Sequence, residues 1–101
     1  MTALRRILRK IKMLTREGDQ LKVAGPLNIE SVSALLTQSS GMLSGVTVVD
    51  LGGVTEVDSA AVSLLLEWRR QAQNTALRFV HLPAALQSLA DLYGVSDLIP
   101  Q

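Results

Sequence analysis

Apolar positions along this chain recur with two periods, and the places where the period changes mark out its elements. Met13 to Glu17 and Gln20 to Gly25 read as two short strands joined around Gly18-Asp19, a hairpin turn signal. Pro26 is expected to end the second strand. Asn28 then offers an N-cap for a helix from Ile29 to about Ser39, with Ile29, Val32, Leu35 and Leu36 on one face and Ser39-Ser40-Gly41 as its close. Val46 to Leu51 is a nearly continuous β-branched run, the pattern of a central strand, and Gly52-Gly53 ends it. From Ser59 to about Gln73 the apolar stripe Ala61, Val62, Leu65, Trp68 and Ala72 predicts a second helix, whose negative end Arg69 and Arg70 complement. Leu77 to Leu82 reads as another strand. Pro83 suits the first turn of a third helix carrying Leu86, Leu89, Ala90 and Tyr93, and Gly94 suits its left-handed cap. Val95 to Pro100 is expected to add a short edge segment. The order β-β-α-β-α-β-α predicts an α/β fold: a mixed four- to five-stranded β-sheet with helices packed on it.

Length restricts this pattern to one domain, since 101 residues hold a two-layer core but no second lobe. Phe79, Trp68 and Tyr93 are the only aromatic residues, so the core must be built from Leu, Val, Ile and Ala. The absence of cysteine excludes a disulfide framework, a thiolate nucleophile and a thiolate metal site, and it fits a reducing, cytoplasmic setting.

The net charge of +1 hides a division. Residues 1–16 carry Arg5, Arg6, Arg9, Lys10, Lys12 and Arg16 without an acid, whereas the rest has four basic residues against nine acids, a net −5. An acidic body lacking stacking aromatics argues against a nucleic-acid-binding domain. Residues 1–12 read as a basic leader preceding a domain over 13–101. Leu4, Ile7, Leu8 and Ile11 recur at helical spacing, so the leader is either an amphipathic helix at an anionic membrane surface or a solvated, disordered extension, with Met13 as an alternative initiator. Charges at every turn exclude a membrane span and a secretory signal from this stretch.

No enzyme signature emerges from the side chains. His81 is the sole histidine, and without a nucleophile and an orienting acid in reach it reads as a structural or surface imidazole. Gly52-Gly53 lacks the Gly-Lys-Ser/Thr of a phosphate-cradling loop. Asp50 and Asp58 flank one loop, but two carboxylates make a weak cation site and each has a structural role available. The expectation is therefore a non-enzymatic chain with no metal and no cofactor.

The residue that asks for an explanation is Ser59. Glu56-Val57-Asp58-Ser59 reads as an acidic turn launching the central helix, which places one hydroxyl at an exposed helix start. Unpaired backbone N–H groups there favour negative charge by about 0.3–1 kcal/mol. The segment VVDLGGVTEVDSAAVSLLL resembles the signature of STAS domains, in which a strand ending in Asp-Leu leads through a short loop to Asp-Ser/Thr and a helix. Gly25-Pro26-Leu27-Asn28 is similar to the family's Gly-x-Leu-Asp turn, with Asn28 where Asp is common, and Leu89 to Val95 resembles its closing helix.

The resemblance implies a docking module with Ser59 at the centre of the contact, Asp58 fixing the helix start, and Glu56, Ala60 and Ser63 around it. Two branches of the family set the alternatives. The small STAS subunit of the Mla phospholipid ABC transporter, which this chain's compact length and Leu-Tyr-Gly-Val-Ser-Asp-Leu-Ile-Pro ending favour, implies a cytoplasmic subunit. It would be peripheral to the inner membrane through its partner, and would bind and stabilise or regulate an ATPase that itself holds the ATP. The anti-sigma factor antagonists imply a serine kinase as partner and phosphorylation of Ser59, which would add about −1.5 to −2 charges beside Asp58 and Glu56. Ala60 and Ala61 depart from the Ser-Ser/Thr-Gly continuation usual in the antagonists.

Overall fold

The computed structural model describes residues 13–72 and 77–101. Four strands, β1 (Leu14–Glu17), β2 (Gln20–Leu27), β3 (Val48–Val57) and β4 (Arg78–Val80), form one sheet in the order β1-β2-β3-β4. β1 runs antiparallel to β2, while β2–β3 and β3–β4 are parallel. The helices α1 (Val32–Gln38), α2 (Ser59–Ala72) and α3 (Ala84–Leu92) follow β2, β3 and β4, and a 3₁₀ turn spans Ser96–Leu98. The mixed α/β sheet is thus the expected one, with four strands. The amphipathic pattern of residues 1–12 and the end of the central helix at Gln73 lie outside the described residues.

Period-2 alternation decides which sheet face is covered. Leu21, Val23, Val49, Leu51 and Phe79 are buried, whereas the intervening Lys22, Asp50 and Val80 are partly or fully exposed. Against the apolar face pack Leu35 of α1, Ala61, Val62, Leu64, Leu65 and Trp68 of α2, and Leu86 and Ala90 of α3. Trp68 is fully buried and its indole N–H donates to Ser39 Oγ at 2.8 Å, satisfying the buried hydroxyl that follows α1.

Several boundaries differ from the sequence expectation. Gly52-Gly53 does not end the third strand, which runs on to Val57. The pairing passes from Lys22↔Asp50 to Ala24↔Gly53, a register shift, and a Cβ on Gly53 would come within 3.0 Å of both the Ala24 Cβ and the Val23 carbonyl oxygen. These glycines therefore mark a close approach of two strands at a bulge. Pro26 likewise lies inside β2, beside a second register shift at Gly25/Pro26. Irregularities of this kind are where a sheet admits a residue without an N–H. Gly18 takes the hairpin's left-handed conformation, as expected, at φ +61°.

The last third of the chain is shorter in its elements than its apolar run suggests. β4 covers only Arg78–Val80, because His81 turns out of the strand at φ +58°. Pro83 stands just before α3 as its N-cap, and Gly94 follows that helix at φ +69°. Tyr93 leaves the apolar stripe to become the C-cap, 52% exposed. The expected edge segment after Val95 is the 3₁₀ turn, with one backbone bond to the sheet edge, from Phe79 N–H to the Pro100 carbonyl.

On the open face, Asp50 Oδ1 sits 2.8 Å from His81 Nδ1 and also accepts the Gly52 N–H at 2.8 Å. The hydrogen bond to His81 first, and the Gly52 N–H second, hold the Asp50 carboxyl below its ordinary value. Such a depressed group adds stability at pH above its unfolded value, near 3.9, and loses it as pH falls through the lower folded value. Urea unfolding followed from pH 6 down to 2.5 is therefore expected to show a shallower acid loss in His81→Ala than in the parent, the parent's advantage being present above about pH 4 and closing as pH falls below it. Parallel curves would assign the acid sensitivity to other carboxylates.

Candidate functional site

The end of β3 and the start of α2 bring Ser59 to the surface, as its helix-start position implies. Asp58 organises that start: its Oδ1 accepts the Ala60 N–H at 2.8 Å, the bond of an N-cap, and its carbonyl accepts the Ala61 N–H at 3.0 Å. Ser59 is exposed, and its hydroxyl makes no hydrogen bond with any described residue. Replacing the Asp58 cap with alanine should cost about 1 kcal/mol, read as a melting midpoint lowered by roughly 4–8 °C. An unchanged midpoint would mean that the helix start is held by packing alone.

Ser59, Ala60 and Ser63 share one side of α2, and that side floors an open groove of about 520 Å³. Ile29 lines it from the turn before α1 and Val32 from the start of α1, Leu66 lies one turn further along α2, and Tyr93 and Val95 line it from just past the end of α3. The small side chains at 60 and 63 keep the groove shallow over the helix backbone, while its rim is apolar. Ile29 at 76% and Tyr93 at 52% are among the most exposed large apolar side chains described. Among the described residues, no group of three or more His, Cys, Asp or Glu is placed to hold a metal ion. Asp50 and Asp58 are set apart by the second half of β3, roughly 25 Å at about 3.3 Å per residue, and do not converge.

Of the residues singled out in the sequence, Ser59, Ala60 and Ser63 meet in the groove, and Asp58 stands behind it as the cap. Glu56 does not line the groove. It belongs to β3, not to a turn, and its Oε1 accepts the Asn28 side-chain amide at 2.7 Å. Asn28 is not the N-cap of a helix beginning at Ile29, since α1 starts three residues later at Val32 with Ser31 at its N-cap. Asn28 Oδ1 accepts the N–H groups of Glu30 and Ser31 at 3.0 and 3.1 Å, and Ser31 Oγ donates to the Pro26 carbonyl at 2.7 Å. These bonds close a turn over Asn28–Ser31, and the Ile29 N–H reaches across to Asp58 Oδ2 at 2.9 Å. Ile29 is thereby turned from the expected buried helix face to the groove rim. Sequence reasoning missed Leu66, which its spacing to Ser59 and Ser63 on one helix could have given, and Ile29, Val32, Tyr93 and Val95, which come from other parts of the chain and carry no local signal of their position beside Ser59.

With this geometry in place, comparison with known proteins decides the family. The family described as "Mlab, STAS domain" matches residues 12–100. The chain belongs to the STAS domain family. It is 29% identical over 89 residues to the intermembrane phospholipid transport system binding protein MlaB of Escherichia coli (strain K12), covering 83% of this chain and 90% of that protein. The MlaB of Shigella flexneri gives the same figures. Among solved structures, the anti-sigma factor antagonist SpoIIAA in its unphosphorylated form superposes with a TM-score of 0.62 at 18% identity, over 85% of this chain and 83% of that one. The STAS fold expected from the sequence is thus the fold of this chain. No described helix is long and apolar enough to cross a membrane.

Proposed function

We propose that this STAS domain, taken as residues 13–101 with the basic leader before it, is a non-enzymatic subunit. It docks through the start of α2 onto the ATPase of a phospholipid-transporting ABC complex, and it acts from the cytoplasm, at the inner membrane, by way of that partner. The observation that carries the reading is the exposed Ser59 hydroxyl, without a hydrogen bond to any described residue, beside an apolar groove floored by Ala60 and Ser63. The likeness to MlaB, a protein of an intermembrane phospholipid transport system, supports the choice of partner. A helix start with short side chains lets a partner backbone approach closely. Exposed Ile29 and Tyr93 supply apolar area that is removed from water only when something covers it. Asp58 and Glu56 shape the site, and ATP is held by the partner.

The deciding experiment is an affinity pull-down of the intact protein and of Ser59→Glu, from detergent-solubilised membranes and from the soluble fraction of its own cell, with partners identified by mass spectrometry. The expected result is an ABC-type ATPase with its membrane subunits, captured by the intact protein and lost with the variant. Capture of a soluble serine kinase with phosphate on Ser59 would replace this reading by that of an anti-sigma factor antagonist, for which the exposed hydroxyl is equally suited.

A further inference from the structure

We infer that Asn28 is a positioning residue for the Ser59 contact: through its bond to Glu56 it holds Ile29 at the groove rim, where the partner meets it. The inference rests on the docking reading above and extends it to a residue on a different element. Asn28 has both ends of its side-chain amide engaged. Its Oδ1 faces two backbone N–H groups, of Glu30 and Ser31, which only donate, so its Nδ2 must face Glu56, whose carboxylate only accepts. No acidic or aliphatic side chain meets both demands. Aspartate at 28 would still accept from Glu30 and Ser31, yet it would set one carboxylate against another where a 2.7 Å bond now stands.

Ile29 is held by two ties, both donated from the turn after β2 to the end of β3 and the start of α2. The residue before it is bonded to Glu56 on β3, and its own N–H is bonded to Asp58 Oδ2. A side chain 76% exposed gains nothing from burial in the free protein, so the ties and not packing set where it stands. The sequence has no basic residue from Val23 to Trp68, so no cation within this stretch offsets Glu56 if the amide of Asn28 is withdrawn. Loss of that bond should therefore loosen the Asn28–Ser31 turn locally while leaving the core, which Ile29 does not enter, undisturbed.

The test compares Asn28→Asp, Glu56→Gln and the double variant Asn28→Asp/Glu56→Gln. The double variant restores a donor–acceptor pair with its polarity reversed and keeps the parent's net charge. Affinity is measured against the ATPase captured in the pull-down, and amide exchange at Ile29 is followed by NMR in the free protein. Asn28→Asp should speed Ile29 exchange and weaken binding about tenfold or more, and the double variant should return both to within about threefold of the parent. Binding by Asn28→Asp within threefold of the parent, or a double variant no better than the single one, would overturn the positioning role. Capture of no ATPase by the unaltered protein would overturn the docking reading instead, and the exchange data alone would then decide whether Asn28 holds Ile29.

Discussion

Trp68→Ala is expected to be the most destabilising single substitution in this chain, costing about 3–5 kcal/mol against a total of about 5–15 kcal/mol for a domain of this kind. The indole is fully buried on the inner face of α2, in a core otherwise made mostly of aliphatic side chains. Its removal opens the largest cavity any one side chain here can leave. It also withdraws the N–H that satisfies Ser39 Oγ at 2.8 Å, leaving a buried hydroxyl to rely on its longer 3.3 Å bond to the Leu36 carbonyl. Urea unfolding at neutral pH checks this. Trp68→Phe should lose less, since a phenyl ring fills most of the space while the rest of the indole and its hydrogen bond go. Adding Ser39→Ala should then recover part of that loss, because removing both polar partners spares the desolvation penalty. A midpoint in Trp68→Ala close to that of the parent would show that the helix layer collapses onto the gap and that Trp68 does not anchor it.

The largest effect on function is expected at Ser59. Glutamate there places a charge at the helix start next to Asp58, where the proposed contact takes a neutral hydroxyl. The helix dipole returns about 0.3–1 kcal/mol of that charge's cost in the free protein, so the fold should hold. In the complex the same charge is desolvated. Loss of a central interface residue costs about 2 kcal/mol or more, so affinity for the captured ATPase should fall about thirtyfold or further. Ser59→Ala, which keeps the shape and loses only the hydroxyl, should fall less. Circular dichroism and melting of both variants should match the parent. If Ser59→Glu instead melts early or loses helix content while its remaining folded fraction binds normally, Ser59 serves the fold and the docking surface lies elsewhere.

The contrast between these two residues shows how much of the protein could be read from its sequence. Trp68 announces itself locally, as the one large residue on a 3.6-period stripe. Ser59 is legible for a similar reason, since an acidic residue followed by a hydroxyl and an apolar run is a local statement about a helix start, and the STAS pattern around it adds a second local statement. Ile29 misleads on the same grounds. Its spacing to Val32 and Leu36 suits a buried helix face, yet the bonds from Asp58 and within the Asn28–Ser31 turn begin the helix three residues later and leave Ile29 outside. Gly52-Gly53 misleads in the opposite direction: glycines that look like a stop are kept because β2 approaches too closely for any side chain at 53.

The sequence by itself determined the element order, the mixed sheet, the aliphatic core with Trp68 in it, and an acidic helix start with Ser59 exposed. Each of these follows from the periodicity of apolar residues or from the chemistry of neighbours within one turn. Only the tertiary structure decided that β3 runs through its glycines, that Asn28 serves Glu56 instead of capping a helix, and that Ile29, Tyr93 and Val95 gather around Ser59. Those outcomes depend on hydrogen bonds and contacts between residues 28 or more positions apart, whose strength is set by where the backbone brings them, and no local pattern encodes that distance.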